Sequence, residues 1–522
     1  MYGSAVLVAP SPVIYGLRVD WDGDGTYGNP YSDVMQYLLA MDADRGRMSN
    51  ANPLYGRAEA GKYTITLDNR SGLFSSLNSS SPLFGNIVDN RALYFETVYG
   101  RRWTAFISRI IPDRINNDPV VKIEASGPFV QFATTIINPA PDPGSLEGVI
   151  IGEVLDAAGW PAGARVIDAG QSTTSPWFEA AIDAMTAMRR LEETGLGFLS
   201  EDEFGRVVYQ DRAYRRSGAR LFSQATYSDT PAWPYPYIDI DQSDPVYYIV
   251  NSVTATATPY VVQSLQVLWT MDPTTPPSIA PGQTLTFIAN YPSPGAPSIL
   301  TIGGVNVQGV YVGAWTTPVS GTDYTVSGVS LSDLAVTVQK FATSMPISIK
   351  NNHSTNTASI TLLQARGTPV TKGTVTSVTS IDGPRTTPGT SQYKYGVKTY
   401  LLPALWLQNT AGAQAYADFI IAANKDPRAL LDLKFRADIS PAMLAEIMTR
   451  RISDRVTVVA GEDRNPLGIN GDFFVERIVD HYDVQHNRYE VTLSLSQVGP
   501  ESSASYWILG TSTLDTDTFL GF

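Results

Sequence analysis

The segment Asp20-Trp21-Asp22-Gly23-Asp24-Gly25-Thr26 is where residue type and spacing most suggest chemistry. Carboxylates at alternate positions can converge on one hard cation, with glycine at the sixth position making the turn, as in the first half of a calcium loop. The bidentate Glu expected at the twelfth position is absent; Tyr31 stands there, and Asp33 is the nearest carboxylate. Asp20, Asp22 and Asp24 are therefore the candidate metal ligands, and calcium in a structural role is the one candidate cofactor. Without a metal, an Asp- and Gly-rich turn between strands is an ordinary arrangement. The same residues spell Gly23-x-Gly25-x-x-Gly28, formally a dinucleotide fingerprint. Interleaved Asp would repel a pyrophosphate, and Asn29-Pro30 interrupts where the helix should begin, so no nucleotide is expected there.

Other reactive groups are sparse. Of three histidines, His481 and His486 flank a turn and His353 falls in a polar loop, and no zinc-protease, nucleophile-elbow or P-loop motif occurs. Glu192-Glu193 and Glu201-Asp202-Glu203 fall at a helix end and a turn, where solvated charge is expected and no raised pKa is foreseen. The absence of cysteine removes disulfides, thiolate metal sites and cysteine nucleophiles. No catalytic residue is expected, and the chain reads as a non-enzyme.

The elements that would position these residues are mostly strands. The chain has 522 residues with 42 Gly and 35 Pro, which suggests several domains of strand and turn. Strand patterns occupy Tyr63 to Leu67, Leu93 to Val98, Trp103 to Ile111 and Val120 to Ala125. Leu146 to Ala158 predicts a short helix. Ser175-Pro176 predicts the start of a second, carrying Phe178, Ala181, Ile182, Met185 and Met188 and stopping at Gly195. A hairpin around Glu203-Phe204-Gly205 completes a small α+β unit. From 270 to 375 the chain is nearly uncharged, with short strand patterns at Thr284, Val305, Tyr324, Leu334, Ile347 and Ala358, which predicts an inserted β-sandwich. Helices are expected at Thr410 to Asn424 and from Ser440-Pro441 to about Ile452. The closing Ser/Thr-rich segment, with Trp507, Leu509, Leu514, Phe519, Leu520 and Phe522, reads as a mobile or docking tail.

The net charge of −13 argues against gripping nucleic acid through phosphate contacts, although an acidic wall would let DNA pass without sticking. No run is apolar enough to span a bilayer and no signal-peptide pattern opens the sequence, so a soluble protein without a conventional export signal is expected.

An internal repeat is the most informative pattern. Phe106-Ile107-Ser108-Arg109-Ile110-Ile111 matches Phe474-Val475-Glu476-Arg477-Ile478-Val479. Each is followed by a return strand, Val121 to Ala125 and Tyr489 to Leu493. Asn90-Arg91 and Asp454-Arg455 each begin an upstream strand. Two copies of one barrel-like domain in a chain would let a threefold ring present pseudo-sixfold symmetry.

Gly61-Lys62-Tyr63-Thr64-Ile65-Thr66-Leu67-Asp68-Asn69-Arg70-Ser71-Gly72-Leu73-Phe74 resembles a G-x-(β)-L-D-N-x-x-G-x-F stretch of phage tail proteins. Ser81-Pro82-Leu83-Phe84-Gly85, Asn90-Arg91 and Trp103 to Ile110 follow it in an order similar to the first domain of siphophage baseplate hub proteins. Asp472 to Ile478 with Tyr489 to Ser494 resembles their second barrel, and Trp507-Ile508-Leu509-Gly510 resembles their ending. The resemblance covers about 10–265 and 376–500 and leaves 270–375 outside. With the patterns above it gives a mainly β fold: two barrel-like hub domains from the resemblance, and a small α+β domain and an inserted β-sandwich from the strand and helix patterns. The expected divisions are 1–135 for the first barrel, 136–230 for the α+β domain, 231–269 with 376–500 for the second barrel, 270–375 for the sandwich and 501–522 for the tail. It further implies a homotrimeric virion protein at the distal tail tip, assembled in the host cytoplasm. Its partners would be the tail tube protein, the distal tail protein, the tape-measure protein and central fibre or tip proteins, with DNA only as passing cargo. The type VI secretion spikes and gene transfer agents use similar hubs. The alternative expectation is a carbohydrate-binding adhesin of the tail tip, motivated by the sandwich and an aromatic content of 10%.

Overall fold

The structure is a computed structural model describing residues 15–47, 56–115, 118–230, 233–244, 246–271, 274–291, 299–302, 305–402, 406–460 and 468–499. The expected tail 501–522, with Trp507 and Leu509, lies outside the described residues. The fold is mainly β, as expected. Its largest element is a twelve-stranded sheet built from both ends of the sequence.

We number its strands β1 (Tyr15–Val19), β2 (Leu38–Arg47), β3 (Ala58–Asp68), β4 (Ala92–Thr97), β5 (Gly100–Ile115), β6 (Asp118–Ser126), β7 (Thr226–Ser228), β8 (Asp239–Gln242), β9 (Leu430–Arg436), β10 (Arg455–Val459), β11 (Asn470–Asp483) and β12 (Arg488–Gln497). Alternation makes these segments strands. In β3, Tyr63, Ile65 and Leu67 are buried while Lys62, Thr64 and Thr66 face outward; in β9, Leu431, Leu433 and Phe435 are the buried set. Burying each such side chain contributes about 1.5–3 kcal/mol, and one continuous core joins residues from both ends of the chain. Among the described residues no hydrogen-bonded strand pair closes either end of this sheet into a ring.

Between the two groups of strands lies the α+β unit. Helix α1 (Glu147–Ala157) and helix α2 (Ala184–Gly195) pack together beside the hairpin Phe198–Glu201 and Val207–Gln210. The helix expected from Ser175-Pro176 begins later, at Ala184, where Asp183 caps it by accepting from the Thr186 N–H at 2.8 Å. Tertiary pairing overrides the earlier start signal. Ser175 N–H donates to the Trp406 carbonyl, Trp177 exchanges backbone hydrogen bonds with Asp142, and Ala181 sits at φ 57°. Those ties hold 175–183 out of the helix.

After β8 the chain leaves the main sheet and returns at β9. Within this excursion, strands Ser252–Ala257, Thr376–Ile381 and Thr399–Leu402 form a small sheet covered by helix α3 (Thr410–Asn424). The first two pair antiparallel, with Ala257 opposite Thr376, and the uncharged β-rich block lies between them. In that block a sheet of Thr284–Asn290, Ser344–Asn351 and Leu334–Val338 shares a core with a seven-stranded group organised on the long strand Ala358–Lys372. The group includes Tyr260–Val262 and Gln266–Thr270. Helix α4 (Pro441–Thr449) then precedes β10, with Ser440 as cap and Pro441 in the first turn, as the sequence predicts.

Candidate functional site: the seam between two repeats

The two groups of strands are copies of one unit. Repeat 1 runs β1-β4-β5-β6-β3-β2 across the sheet, and repeat 2 runs β7-β10-β11-β12-β9-β8. The correspondence extends to single residues. In β5, Ser108 is the extra residue of a bulge opposite β6; in β11, Glu476 is the extra residue of a bulge opposite β12. Before β4 the Asn90 N–H donates to the Ile107 carbonyl and the Ile107 N–H to Arg91; before β10 the Ser453 N–H donates to Val475 and the Val475 N–H to Asp454. Asn90 (φ 64°) and Ser453 (φ 70°) both adopt the left-handed conformation that turns the chain into the strand.

The expected match of Phe106 to Ile111 with Phe474 to Val479 is therefore a structural one, but two parts of the expected register shift. Val121 to Ser126 correspond to Val491 to Ser496, two residues beyond the expected return strand, because four residues separate the paired Asp483 and Arg488 where two separate Ile115 and Asp118. Asn90-Arg91 correspond to Ser453-Asp454 rather than to Asp454-Arg455. The copies also differ in one pairing: β1 runs antiparallel to β4, whereas β7 runs parallel to β10.

The repeats join where β2 pairs antiparallel with the far half of β11, from Ala40 opposite Asp483 to Gly46 opposite Arg477. Gly46 is required there, because a Cβ would lie 2.3 Å from the Glu476 carbonyl oxygen.

Two buried ionic clusters lock this seam. In the first, Asp480 accepts from Arg102 at 2.9 Å, Arg45 at 3.3 Å and the Tyr489 hydroxyl at 2.8 Å. Arg102 and Asp480 are both 0% exposed. Arg102 also donates to the carbonyls of Ile447 and Arg450, and Arg45 donates to that of Arg102. Burial pushes the Asp480 carboxyl up, but the two guanidiniums outweigh it and hold it below the usual range.

In the second cluster, Glu476 accepts from Arg47 at 2.8 Å, from Arg215 at 2.6 and 2.8 Å, and from the Ser496 hydroxyl at 2.6 Å. Burial again raises its carboxyl, yet Arg215 and Arg47 bring it down to about 2. The bulge aims this side chain inward, so one glutamate ties repeat 1, through Arg47, to repeat 2 and to the segment after the α+β unit, through Arg215.

Two glutamates of the α+β unit correct the expectation of solvated acids. Glu201 is buried and accepts from the Gly61 N–H at 2.9 Å and the Tyr63 hydroxyl at 3.1 Å, and burial lifts its carboxyl to about 7. Glu192 is buried too, paired with Arg189 at 2.7 Å and accepting from the Leu199 N–H. The strand Phe198–Glu201 packs against β3 and so sets Glu201 on repeat 1, while Glu192 is satisfied inside its own unit; local sequence signalled neither. Glu203 pairs with Arg451 at 3.0 Å.

The residues proposed as metal ligands do not converge. Asp20 turns its carboxylate back on the N–H groups of Gly23 and Gly25, at 2.8 and 2.9 Å. Asp22 accepts from Asn29 and Asn86, and Asp24 from Thr26. Among the described residues no three acidic or histidine side chains are grouped to hold a metal. His481 pairs with Asp42 and His486 with Asp483, each at 2.6 Å and exposed. Arg45, Arg47, Arg102 and Arg215 were not foreseen. Their carboxylate partners lie hundreds of residues away, although Glu476 stands inside the repeated motif.

No family model and no curated protein matches this chain. Solved structures of tail proteins do. A tail protein from Neisseria meningitidis MC58 matches at 10% identity over 94% of this chain and 98% of its own, with a TM-score of 0.48. The 43 kDa tail protein of prophage MuSo2 from Shewanella oneidensis matches at 11% identity over 94% and 99%, with a TM-score of 0.45. Prophage tail protein gp18 from Listeria monocytogenes EGD-e matches at 9% identity over 92% and 94%, with a TM-score of 0.41.

Proposed function

We propose that this chain is a structural hub at the distal end of a phage-type tail, acting as a homotrimer that joins a sixfold tube to threefold tip or fibre components. The single observation carrying this reading is the duplication of one six-strand unit, bulge for bulge, with the copies joined edge to edge. Three copies of such a chain present six near-equivalent units on one face while keeping threefold symmetry elsewhere. Its neighbours would be tube, distal tail and tape-measure proteins. The role is mechanical, and the work of the buried clusters is to hold two units at a set angle.

DNA is cargo in this reading. Three cations on the solvent side of the sheet are paired with carboxylates, Arg477 with Asp44, Lys122 with Glu124 and Lys62 with Glu59, and the net charge of −13 disfavours a grip on phosphate. The adhesin alternative draws no support from the sandwich aromatics Tyr291, Trp315 and Tyr324, which are buried in its core.

Light scattering on a sizing column tests the reading. A particle near three times 56.6 kDa is expected, and a stable dimer or tetramer would overturn it.

A further inference from the structure

The seam inside the chain uses two edges, and the repeat supplies a second, unused copy of each. Repeat 1 offers β2, and repeat 2 receives it on the far half of β11. The counterpart of β2 is β8, which pairs with β9 and, among the described residues, has no strand on its other side. The counterpart of the receiving edge is the far half of β5, Arg109 to Ile115, which pairs with β6 and, among the described residues, likewise has no strand on its other side.

Burial follows the same logic. One cross-strand row in repeat 1 runs Met41-Ile65-Ile123-Ile110, and its counterpart in repeat 2 runs Ile240-Leu433-Leu493-Ile478. Met41 and Ile478, at the seam, are buried; Ile240 and Ile110, their counterparts on the open edges, are only partly so. Ile115 and Ile238 are about half exposed at the ends of the two edges. Asp239, Asp241 and Asp244 lie along β8 and its continuation, and Arg109, Asp113 and Arg114 along β5, so both edges carry charge on their exposed positions while the apolar row continues between them.

We infer that β8 of one copy adds to the far half of β5 of a second copy of this chain, repeating between subunits the seam within them. This deepens the hub reading and rests on it only in requiring a second copy. Transferring the β2–β11 register gives the pairs: Asp239 opposite Ile115, Ile240 opposite Arg114, Asp241 opposite Asp113 and Gln242 opposite Pro112. The contact is head to tail, so it leaves one donor edge and one acceptor edge at the ends of any open row, and closure into a ring satisfies both. Pro112 stands where Asp480 does in the seam. By the alternation set by the Val484 N–H to Leu39 carbonyl bond, it occupies a position whose N–H would face the partner. One rung is therefore missing from the joint between subunits.

Cross-linking tests the register. The chain has no cysteine, so Asp113→Cys with Asp241→Cys introduces the only thiols. These positions transfer from a non-hydrogen-bonded pair, whose Cα separation of about 4.5 Å suits a disulfide. Both are exposed, so the fold should tolerate the changes, which circular dichroism checks. Mild oxidation is expected to give covalent multimers from the double variant, reversed by reductant. The out-of-face control, Arg114→Cys with Asp241→Cys, should remain monomeric on a denaturing gel. No multimers at high protein concentration, or equal multimers from the control, would overturn the inference. A trimer by light scattering without in-register cross-links would sink this contact while leaving the hub reading standing; a trimer lacking in solution does not remove the cross-link expected at high concentration.

Discussion

Repeat 1 leaves the far half of β5 in solvent, whereas repeat 2 covers the same half of β11 with β2. The side chains differ accordingly. Pro112 corresponds to Asp480, Arg114 to Tyr482 and Ser108 to Glu476; the first of each pair is exposed and the second buried. One backbone plan thus carries two chemistries, and what decides between them is whether a neighbouring strand excludes water. An acid can sit at 480 only because Arg45 and Arg102 arrive with the seam.

The sharpest test of that contrast replaces the corresponding residues. Asp480→Ala strands two guanidiniums in a dry interior and should destabilise by about 3–5 kcal/mol, read from chemical denaturation. Pro112→Ala should change stability by about 0.5 kcal/mol or less. Similar losses at both positions would mean that the seam carries no special burden.

The pH dependence separates the seam from the α+β contact. Glu476, lowered from an ordinary 4.5 to about 2, adds stability that is present above pH 4.5 and lost as pH falls toward 2. Glu201, raised from 4.5 to about 7, acts in the opposite direction: the folded state holds a proton that the unfolded state releases, so stability declines as pH rises from 4.5 to 7. Each shift corresponds to a ceiling of about 3 kcal/mol. Glu201→Gln, which keeps an acceptor for Gly61 and Tyr63, should flatten the decline between pH 4.5 and 7 in thermal melts. An unchanged slope would assign that decline to other groups.

The smallest effect concerns the connection before the fourth strand. Repeat 2 fills it with α4, whereas repeat 1 uses successive turns between Asn69 and Asn90. Ser440 accepts from the Met443 N–H at 3.1 Å, and Ser440→Ala should cost about 1 kcal/mol by denaturant titration. No measurable cost would show that packing of Met443, Leu444 and Ile447 alone holds the helix.

Much of the fold was legible because alternation and turn residues are local. The strands around Tyr63, Leu93, Trp103 and Val120, the helices at Leu146 and Ser440 and the repeated Phe-x-x-Arg motif all carried their own signal. The start of α2 did not, since Trp177 and Ala181 are held by partners distant in sequence. The repeat register slipped where a turn changed length, which similarity of side chains cannot reveal. The seam was least legible: Arg102 meets Asp480 only after the two ends of the sequence are folded side by side, and nothing near Glu201 announces that Gly61 and Tyr63 will cover it.

The sandwich hangs from the tip of a hairpin, where Ala257 faces Thr376 and the Gly373 N–H donates to the Pro259 carbonyl at 2.7 Å. Its two points of attachment are therefore neighbours, and the cost of closing a loop there hardly grows with the length of what is inserted. That makes the tip a socket for a cassette. The module can be swapped, enlarged or deleted there without touching the strands of either repeat, and a protein engineer can load a foreign domain at the same place.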